Sequence, residues 1–193
     1  MIKVYIQKIE NLNKSEAESI KKALSFEALE RLDKKRNEDL YLASLQALSL
    51  LTDEQRTDLC YSEGGRPHFK TLDNDISISH SKTYVAVAIS DSKNIPVGID
   101  IEDVPTHSAD GSTLTRFFTE NEKTEFSKGT PCIEIWTKKE ALFKFLKNDS
   151  TQFIHLDSTL PKTYGVSFTA IQVEGSILTI CTHSEEKIEI KEK

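Results

Sequence analysis

The sequence predicts an α+β fold built as a pseudo-twofold pair of similar α/β lobes. Its 193 residues are enough for one sizeable domain or for two small lobes that share a core. Helix and strand patterns occur in both halves, in the order strand, helices, strands, then helices, strands. The boundary is predicted near Pro96, so that residues 1–95 form an N-terminal lobe and residues 96–193 a C-terminal lobe.

The elements of the first half follow from hydrophobic periodicity and capping signals. Met1–Ile6 alternates apolar and polar residues, which is typical of a half-buried strand. Ser15 with Glu18 has the capping-box pattern and predicts the start of a helix. Apolar residues recur at helical spacing from Leu29 to Leu51 and predict a long helix. Three strands are then predicted, at Asp75–Ser79, Tyr84–Ser90 and Ile95–Glu102.

The second half contains two helix starts and three further strands. Thr119 with Glu122 repeats the capping-box pattern and predicts a short helix. Pro131 suits the first turn of a helix that runs to about Leu146. The strands are predicted at Tyr164–Val173, Ser176–Thr182 and Lys187–Ile190.

Composition excludes several classes of protein. A net charge of −6 disfavours a duplex-DNA binder, which needs a basic face. No apolar run has the roughly 18–20 residues that a membrane-spanning helix needs, and no signal peptide is recognisable after Met1. Three widely spaced cysteines, Cys60, Cys132 and Cys181, argue against a disulfide framework and a cysteine-rich zinc site. We therefore expect a cytoplasmic protein that binds neither nucleic acid nor membrane.

Asp100 and Glu102 form the first candidate constellation. Side chains two residues apart on a strand leave the same face, so the two carboxylates project together. Such a pair repels itself unless a cation or a proton lies between, and oxygen ligands of this kind suit Mg²⁺. Taken alone, the pair is more simply explained as a solvent-facing strand that carries two acids.

Glu140 and Lys144 are four residues apart and share one face of the predicted helix. Taken alone, they are most simply an exposed ion pair, with Trp136 in the core. A catalytic role requires Glu140 to add a third carboxylate to the strand pair, with lysines nearby to neutralise phosphate oxygens.

Two turns complete the set of candidates. His80 lies in a polar Ser-His-Ser corner at the end of a strand, where it could donate to a phosphate or serve as a turn histidine. Arg66 lies on a stiff Gly-Arg-Pro turn, and its guanidinium suits bidentate phosphate contact as well as a surface position.

Together, and in this order, these segments resemble the 4′-phosphopantetheinyl transferases of the larger, two-lobed surfactin-synthetase type. A Phe-Phe segment with Glu122 also resembles the family pattern before the last helix. The segments are Gly65-Arg66-Pro67, Ile78-Ser79-His80-Ser81, Gly98-Ile99-Asp100-Ile101-Glu102 and Trp136-Thr137-Lys138-Lys139-Glu140-Ala141-Leu142-Phe143-Lys144.

The resemblance implies a fold that binds coenzyme A and Mg²⁺ between its lobes. Asp100, Glu102 and Glu140 would hold Mg²⁺ against the CoA pyrophosphate. A serine of an acyl or peptidyl carrier protein would attack the β-phosphate, receive the phosphopantetheine arm and release adenosine 3′,5′-bisphosphate. The chain length is similar to that of the monomeric members of the family.

Roles for single residues follow from the same resemblance. Lys144 and Lys139 would neutralise the pyrophosphate and the leaving group, since phosphoryl transfer is mostly positioning and charge neutralisation. His80 and Arg66 would contact the CoA phosphates. Glu140, or a metal-bound water, would act as the general base.

The chain departs from the family pattern where basic residues commonly hold the 3′-phosphate of CoA. Leu42 occupies the place of an arginine, and Glu27 and Glu30 stand where lysines are common. A non-catalytic homologue with a weakened hold on CoA is therefore the alternative prediction. A Mg²⁺-dependent nuclease, which also uses clustered carboxylates and a lysine, is a third.

Overall fold

Two β-sheets pack face to face, and each is covered on its outer side by one long helix. The predicted α+β class is confirmed. The computed structural model describes residues 1–24, 28–29, 32, 37–52, 59–62, 65–104, 112–147 and 150–192.

The first sheet has the strand order β4-β5-β1-β9. Strand β1 pairs antiparallel with β5 and parallel with β9, and β4 pairs antiparallel with β5. Helix α2 covers the outer face of this sheet. The elements up to this point in the chain are β1 (Ile2–Lys8), α1 (Lys14–Ala23), α2 (Glu38–Thr52), β2 (Leu59–Tyr61), β3 (Pro67–Phe69), β4 (Ile76–His80) and β5 (Tyr84–Ser90).

The second sheet has the strand order β6-β8-β7, with both pairings antiparallel. Helix α5 covers its outer face. The remaining elements are β6 (Gly98–Asp103), α3 (Ser112–Thr115), α4 (Glu120–Ser127), α5 (Cys132–Leu146), α6 (Pro161–Tyr164), β7 (Val166–Val173), β8 (Ser176–His183) and β9 (Ile188–Glu192). Short 3₁₀ helices cover Ile9–Asn11 and Ser150–His155.

The two sheets repeat one topology. In each, a first strand is followed by a long helix and then by an antiparallel hairpin whose second strand pairs with the first strand. This gives β4-β5-β1 in one sheet and β7-β8-β6 in the other. The last strand, β9, returns to pair with β1. The division of the chain at residue 95 stays a prediction, because β9 belongs to the sheet of the first half.

Burial on both faces explains the uninterrupted apolar run of β5. Val85, Val87 and Ile89 pack against α2, while Tyr84 and the alanines between them face the second sheet. Strand β1 is likewise buried on both sides rather than half-buried as its alternation predicts.

Helix starts were predicted with mixed success. The predicted capping box at Thr119 is confirmed, because Thr119 accepts a hydrogen bond from the Glu122 backbone while the Glu122 side chain accepts one from the Thr119 backbone. The box predicted at Ser15 is wrong, since Asn13 and Glu16 form it. Asn13 has the extended backbone of an N-cap residue, and Ser15 already lies inside the helix.

Leu42 does not face a ligand site. Its side chain is fully buried in the cluster between α2 and the first sheet. An arginine there would have to bury its charge. The weakened hold on CoA that Leu42 suggests stays a prediction. Glu27 and Glu30 lie outside the described residues. Within the described part of the chain, every helix is too short or too polar to span a bilayer.

Candidate active site

The two sheets meet along a seam, where side chains of β4 and of Asp75, the residue before it, reach the free edge of β6. The carboxylate of Asp75 accepts a hydrogen bond from Val97 N at 2.9 Å, Ser77 Oγ accepts one from Ile99 N at 3.0 Å, and Ser79 Oγ accepts one from Ile101 N at 3.3 Å. All three acceptors are buried. The alternation of polar residues in β4 thus replaces a backbone ladder and sets the position of β6 against the first lobe.

A single glycine lets α5 approach β6. A Cβ atom on Gly98 would lie 2.0 Å from Ala141 O and 2.5 Å from Phe145 N. No larger residue fits without moving the helix backbone. Ala141 is fully buried at this contact, so its small side chain keeps the approach close. This contact brings one face of α5 to the acids of β6.

Asp100 is the buried centre of the candidate site. Its neighbours Ile99 and Ile101 face the core between the sheets, so Asp100 leaves the strand on the other face. Asp100 Oδ1 accepts hydrogen bonds from Ser79 Oγ at 2.7 Å and from Lys144 Nζ at 2.8 Å. Lys144 Nζ also donates to Ser79 Oγ at 3.0 Å. The second oxygen, Oδ2, is buried and has no hydrogen-bond partner within the described part of the chain.

Glu102 and Glu140 complete an acidic cluster around Asp100. Burial and repulsion from Asp100 raise the pKa of Glu102 to about 7, against the lowering effects of the Trp136 hydrogen bond and of Lys144. Burial also raises the pKa of Glu140, where Lys144 lowers it and Asp100 raises it further. The three carboxylates therefore share one local field, and additional positive charge there would stabilise their ionised forms.

The cluster fits a divalent cation in its chemistry. It combines three carboxylates with an unpaired buried oxygen, and oxygen ligands suit Mg²⁺. In the present arrangement, no group of three or more His, Cys, Asp or Glu side chains among the described residues could hold a metal ion. The ammonium of Lys144 instead supplies the positive charge at Asp100.

Lys139 does not belong to this cluster, which corrects the prediction that it neutralises phosphate. Its side chain is 0% exposed and forms an ion pair with Glu122 at 2.8 Å. It also donates to Leu156 O. Glu122 in turn accepts hydrogen bonds from Ser158 N at 2.9 Å and Ser158 Oγ at 2.8 Å. Lys139 therefore fastens α5 to α4 and to the segment after the 3₁₀ helix, with no access to a ligand.

A partly exposed aromatic cluster surrounds the same face of α5. The ring of Trp136 lies 5.8 Å from that of Phe117 and 5.5 Å from that of Phe153, and Phe143 lies 5.4 Å from Phe153. Trp136 was expected to be a core residue, but its indole donates a hydrogen bond to Glu102. Trp136 thus connects the aromatic cluster to the acids.

Arg66 is held by partners on both lobes. It forms an ion pair with Asp75 and donates to Val97 O at 3.1 Å and to Lys144 O. Its side chain is 19% exposed. The structure places Arg66 at the seam, but its donors are occupied by protein groups. The predicted contact with the CoA phosphates stays a prediction.

His80 lies at the exposed end of β4, outside the acidic cluster. It lines a pocket of about 370 Å³ together with Tyr41, Tyr61 and Ile78. A second cleft, of about 470 Å³, lies along the seam and also includes Ile78 in its wall. The two cavities adjoin at this residue and at the Gly-Arg-Pro turn.

Sequence reasoning missed three contributors to the site. Ser77 and Ser79 lie in a predicted strand, but their bonds across the seam follow only from the approach of β4 to β6. Lys147 was not considered, although its Nζ lies 3.0 Å from Asp75 Oδ1. The polar residues at every second position of β4 were the one available signal for such a seam.

A known protein family matches the part of the chain that carries most of this site. Residues 96–190 match the model of the 4′-phosphopantetheinyl transferase superfamily. This segment contains the acids of β6 and the whole of α5.

Curated relatives extend the match toward the N-terminus. The chain is 30% identical over 132 residues to the 4′-phosphopantetheinyl transferase AcpT of Salmonella typhi, covering 65% of this chain and 67% of the relative. The protein of the same name from Salmonella typhimurium matches to the same extent. AcpT of Escherichia coli K12 is 30% identical over 132 residues, covering 65% of this chain and 66% of the relative.

Proposed function

As the chain belongs to the 4′-phosphopantetheinyl transferase superfamily, we propose that it transfers the phosphopantetheine arm of CoA to a carrier-protein serine at the acidic cluster in the seam. The chain is a transferase of this superfamily, and its substrates by class are CoA and a carrier protein. The superfamily predicted from the motifs is confirmed. The larger surfactin-synthetase type stays a prediction, because the relatives carry the name AcpT.

The observation that carries the proposal is the convergence of α5 on β6. The charges of Asp100, Glu102 and Glu140 interact with one another. Lys144 forms an ion pair with Asp100, the most buried of the three. Acids that only faced solvent would not place a carboxylate oxygen in a buried position without a partner. The arrangement suits a site whose remaining ligand is a cation bound together with phosphate.

In the proposed reaction, the serine Oγ of the carrier protein attacks the β-phosphorus of CoA. The new bond joins Oγ to phosphorus, and the broken bond joins phosphorus to the bridging oxygen of the diphosphate. Adenosine 3′,5′-bisphosphate leaves with that oxygen, and Glu140 accepts the serine proton. Lys144 lies close enough to the acids to place its ammonium on the diphosphate.

We propose Asp100, Glu102 and Glu140 as the residues that would hold Mg²⁺. The bound ion would neutralise diphosphate charge in the transition state. His80 is proposed to contact a phosphate of CoA from the adjoining pocket.

The proposed activity is tested by mass spectrometry of a carrier protein. An apo carrier incubated with the protein, CoA and Mg²⁺ should gain about 340 Da, the mass of the transferred arm in this phosphoryl transfer. A panel of fatty-acid, polyketide and peptide carriers identifies the class of partner. If no carrier in the panel gains this mass while CoA binds in calorimetry, the non-catalytic alternative is correct instead.

Two glutamate variants on α5 provide the matched comparison. Glu140→Gln should slow transfer at least about 100-fold, because general base and ligand roles each contribute on this scale. Glu134→Gln removes a carboxylate from the same helix, but Glu134 pairs with the partly exposed Lys138. Equal transfer rates for the two variants would remove Glu140 from the mechanism.

A further inference from the structure

A cationic cleft runs along the seam beside the acidic cluster. It has a volume of about 470 Å³ and includes Arg66, Lys144 and Lys147 in its lining, with Phe143 and Ile78 among the apolar residues. Each of the three is paired with a carboxylate in this structure, Arg66 and Lys147 with Asp75 and Lys144 with Asp100. A multiply charged anion in the cleft would compete with these carboxylates for the cations. Under the proposed function, that anion is the diphosphate of CoA.

Arg66 is the least available of the three cations. Asp75, Val97 O and Lys144 O hold its guanidinium, and these groups come from both lobes. Turning Arg66 toward a ligand would break its bonds to Val97 O and Lys144 O, and also the two that it donates to the Asp75 carboxylate, which is only 6% exposed. Arg66 therefore holds the lobes together, and its charge is already used.

Lys147 differs from Arg66 in its exposure and in its backbone conformation. Its side chain is 40% exposed, and an ion pair joins its Nζ to Asp75 Oδ1 at 3.0 Å. Lys147 ends α5 with φ 54°, ψ 31° and is the one non-glycine residue with positive φ in the described part of the chain. A lysine in this left-handed region costs on the order of 1 kcal/mol relative to glycine. Residues that keep such a strained backbone conformation cluster at functional sites.

The pairing at Asp75 leaves Lys147 able to change partner. Arg66 bonds both oxygens of Asp75, with Nε donating to Oδ1 at 3.3 Å and Nη2 to Oδ2 at 2.5 Å. If Lys147 moves to another anion, the Asp75 carboxylate keeps its guanidinium and the hydrogen bond from Val97 N. The movement therefore leaves no buried charge unpaired.

We propose that Lys147 binds the diphosphate of CoA, and that Arg66 positions the seam without contacting the ligand. The inference rests on the proposed function. Lys147 follows Lys144 by three residues, and both line the cleft. Lys144 would hold the diphosphate on the side of the acids, and Lys147 on the side of the Gly-Arg-Pro turn.

Calorimetric titration of CoA into the full chain with Mg²⁺, without carrier protein, tests the assignment. Lys147→Gly should weaken CoA binding about five- to tenfold, because one charged hydrogen bond to phosphate is lost. Its melting temperature should stay within about 3 °C of that of the wild type, since glycine relieves the backbone while the partly exposed ion pair contributes little. Lys147→Gln should weaken binding equally, and Lys147→Arg should retain it.

Two control variants separate this role from general charge effects. Lys138→Gln removes a positive charge from the same helix at a partly exposed pair with Glu134 and should bind CoA like the wild type. Arg66→Gln should lower the melting temperature by about 5 °C or more and weaken CoA binding less than Lys147→Gly does. Dephospho-CoA, which lacks the 3′-phosphate, should show the same loss on Lys147→Gly as CoA.

Wild-type affinity in both Lys147→Gly and Lys147→Gln would overturn the assignment. So would an equal loss in Lys138→Gln, a larger loss in a normally stable Arg66→Gln, or a loss restricted to CoA over dephospho-CoA. Failure of the proposed function is a different result, because it appears as the absence of a mass gain on every carrier, whereas the Lys147 assignment is judged by CoA affinity alone. A wild type that binds no CoA would overturn both.

Discussion

The buried ion pair between Lys139 and Glu122 allows the sharpest test of the structure, because a neighbouring lysine provides the control. Lys139 and Glu122 are both 0% exposed and lie 2.8 Å apart. Lys138, the preceding residue, forms a pair of nearly equal length with Glu134, at 2.7 Å, with its side chain 28% exposed. The two pairs differ mainly in burial.

Replacing each lysine by methionine removes the charge and keeps most of the apolar stem. Lys139→Met leaves the Glu122 carboxylate buried without its cation, which costs about 3–5 kcal/mol. The hydrogen bonds from Ser158 and from Thr119 N remain and favour the lower part of this range. Lys138→Met breaks a partly exposed pair four residues apart and costs about 0.3–0.5 kcal/mol.

Urea unfolding at neutral pH measures both costs, and thermal melting supports them. At about 2–4 °C per kcal/mol for a chain of this length, Lys139→Met should lower the melting temperature by about 10 °C. A second change, Glu122→Gln, should restore part of that loss, because it removes the uncompensated charge.

The outcome also decides between a structural and a ligand role for Lys139. If Lys139→Met unfolds like Lys138→Met but loses CoA affinity, the buried pair does not exist in solution and Lys139 contacts the ligand after all. A large loss of stability with normal CoA affinity in the folded protein supports the arrangement described above.

Two further predictions concern the packing and the charge of the site. Gly98→Ala should cost about 1–3 kcal/mol or more, because its Cβ would lie 2.0 Å from Ala141 O. It should also slow transfer by moving α5 away from β6. The control is Gly175→Ala, at φ +70° in the turn between β7 and β8, which should reduce stability without slowing transfer. Equal transfer rates in the two variants would contradict the packing argument. Because the pKa of Glu102 is raised from 4.5 to about 7, the folded state binds more protons than the unfolded state between these values, so stability falls as the pH rises through this range. Because Glu102 is only partly buried, solvent screening reduces the loss to about 2 kcal/mol in metal-free protein. Urea unfolding at pH 5 and pH 8 should show a smaller loss in Glu102→Gln than in the wild type, since Glu140, whose pKa is also raised, remains in the variant; the same loss in both proteins would assign it to another group.

Local sequence signals predicted much of the framework of the site. Helix α5 was predicted to begin at Pro131 and to end at Leu146, and it covers Cys132–Leu146. Strand β5 was predicted at its observed bounds, because its apolar run and its flanking turn are local features. The spacing of two residues in β6 and of four residues in α5 also predicted which acids and lysines share a face.

The positions of single cations could not be read in the same way. Lys138 and Lys139 are equally plausible ligands in the sequence, yet they point about 100° apart on the helix. One is buried against Glu122, and the other stays partly exposed. The same limit applied to Arg66, whose partners Asp75, Val97 and Lys144 are brought together only by the contact between the lobes.

The sequence by itself therefore determined most of the longer strands, the helix that carries Glu140, and the order of the family motifs. Periodicity, caps and turns depend on neighbouring residues, and they can be recognised before the chain folds. The tertiary structure alone decided that Asp100 would lie beside Lys144 with one oxygen unpaired, that β9 would join β1, and that Lys147 would line the seam. These contacts join residues distant along the chain, and their energies depend on burial and on charge partners that exist only after the lobes have packed together.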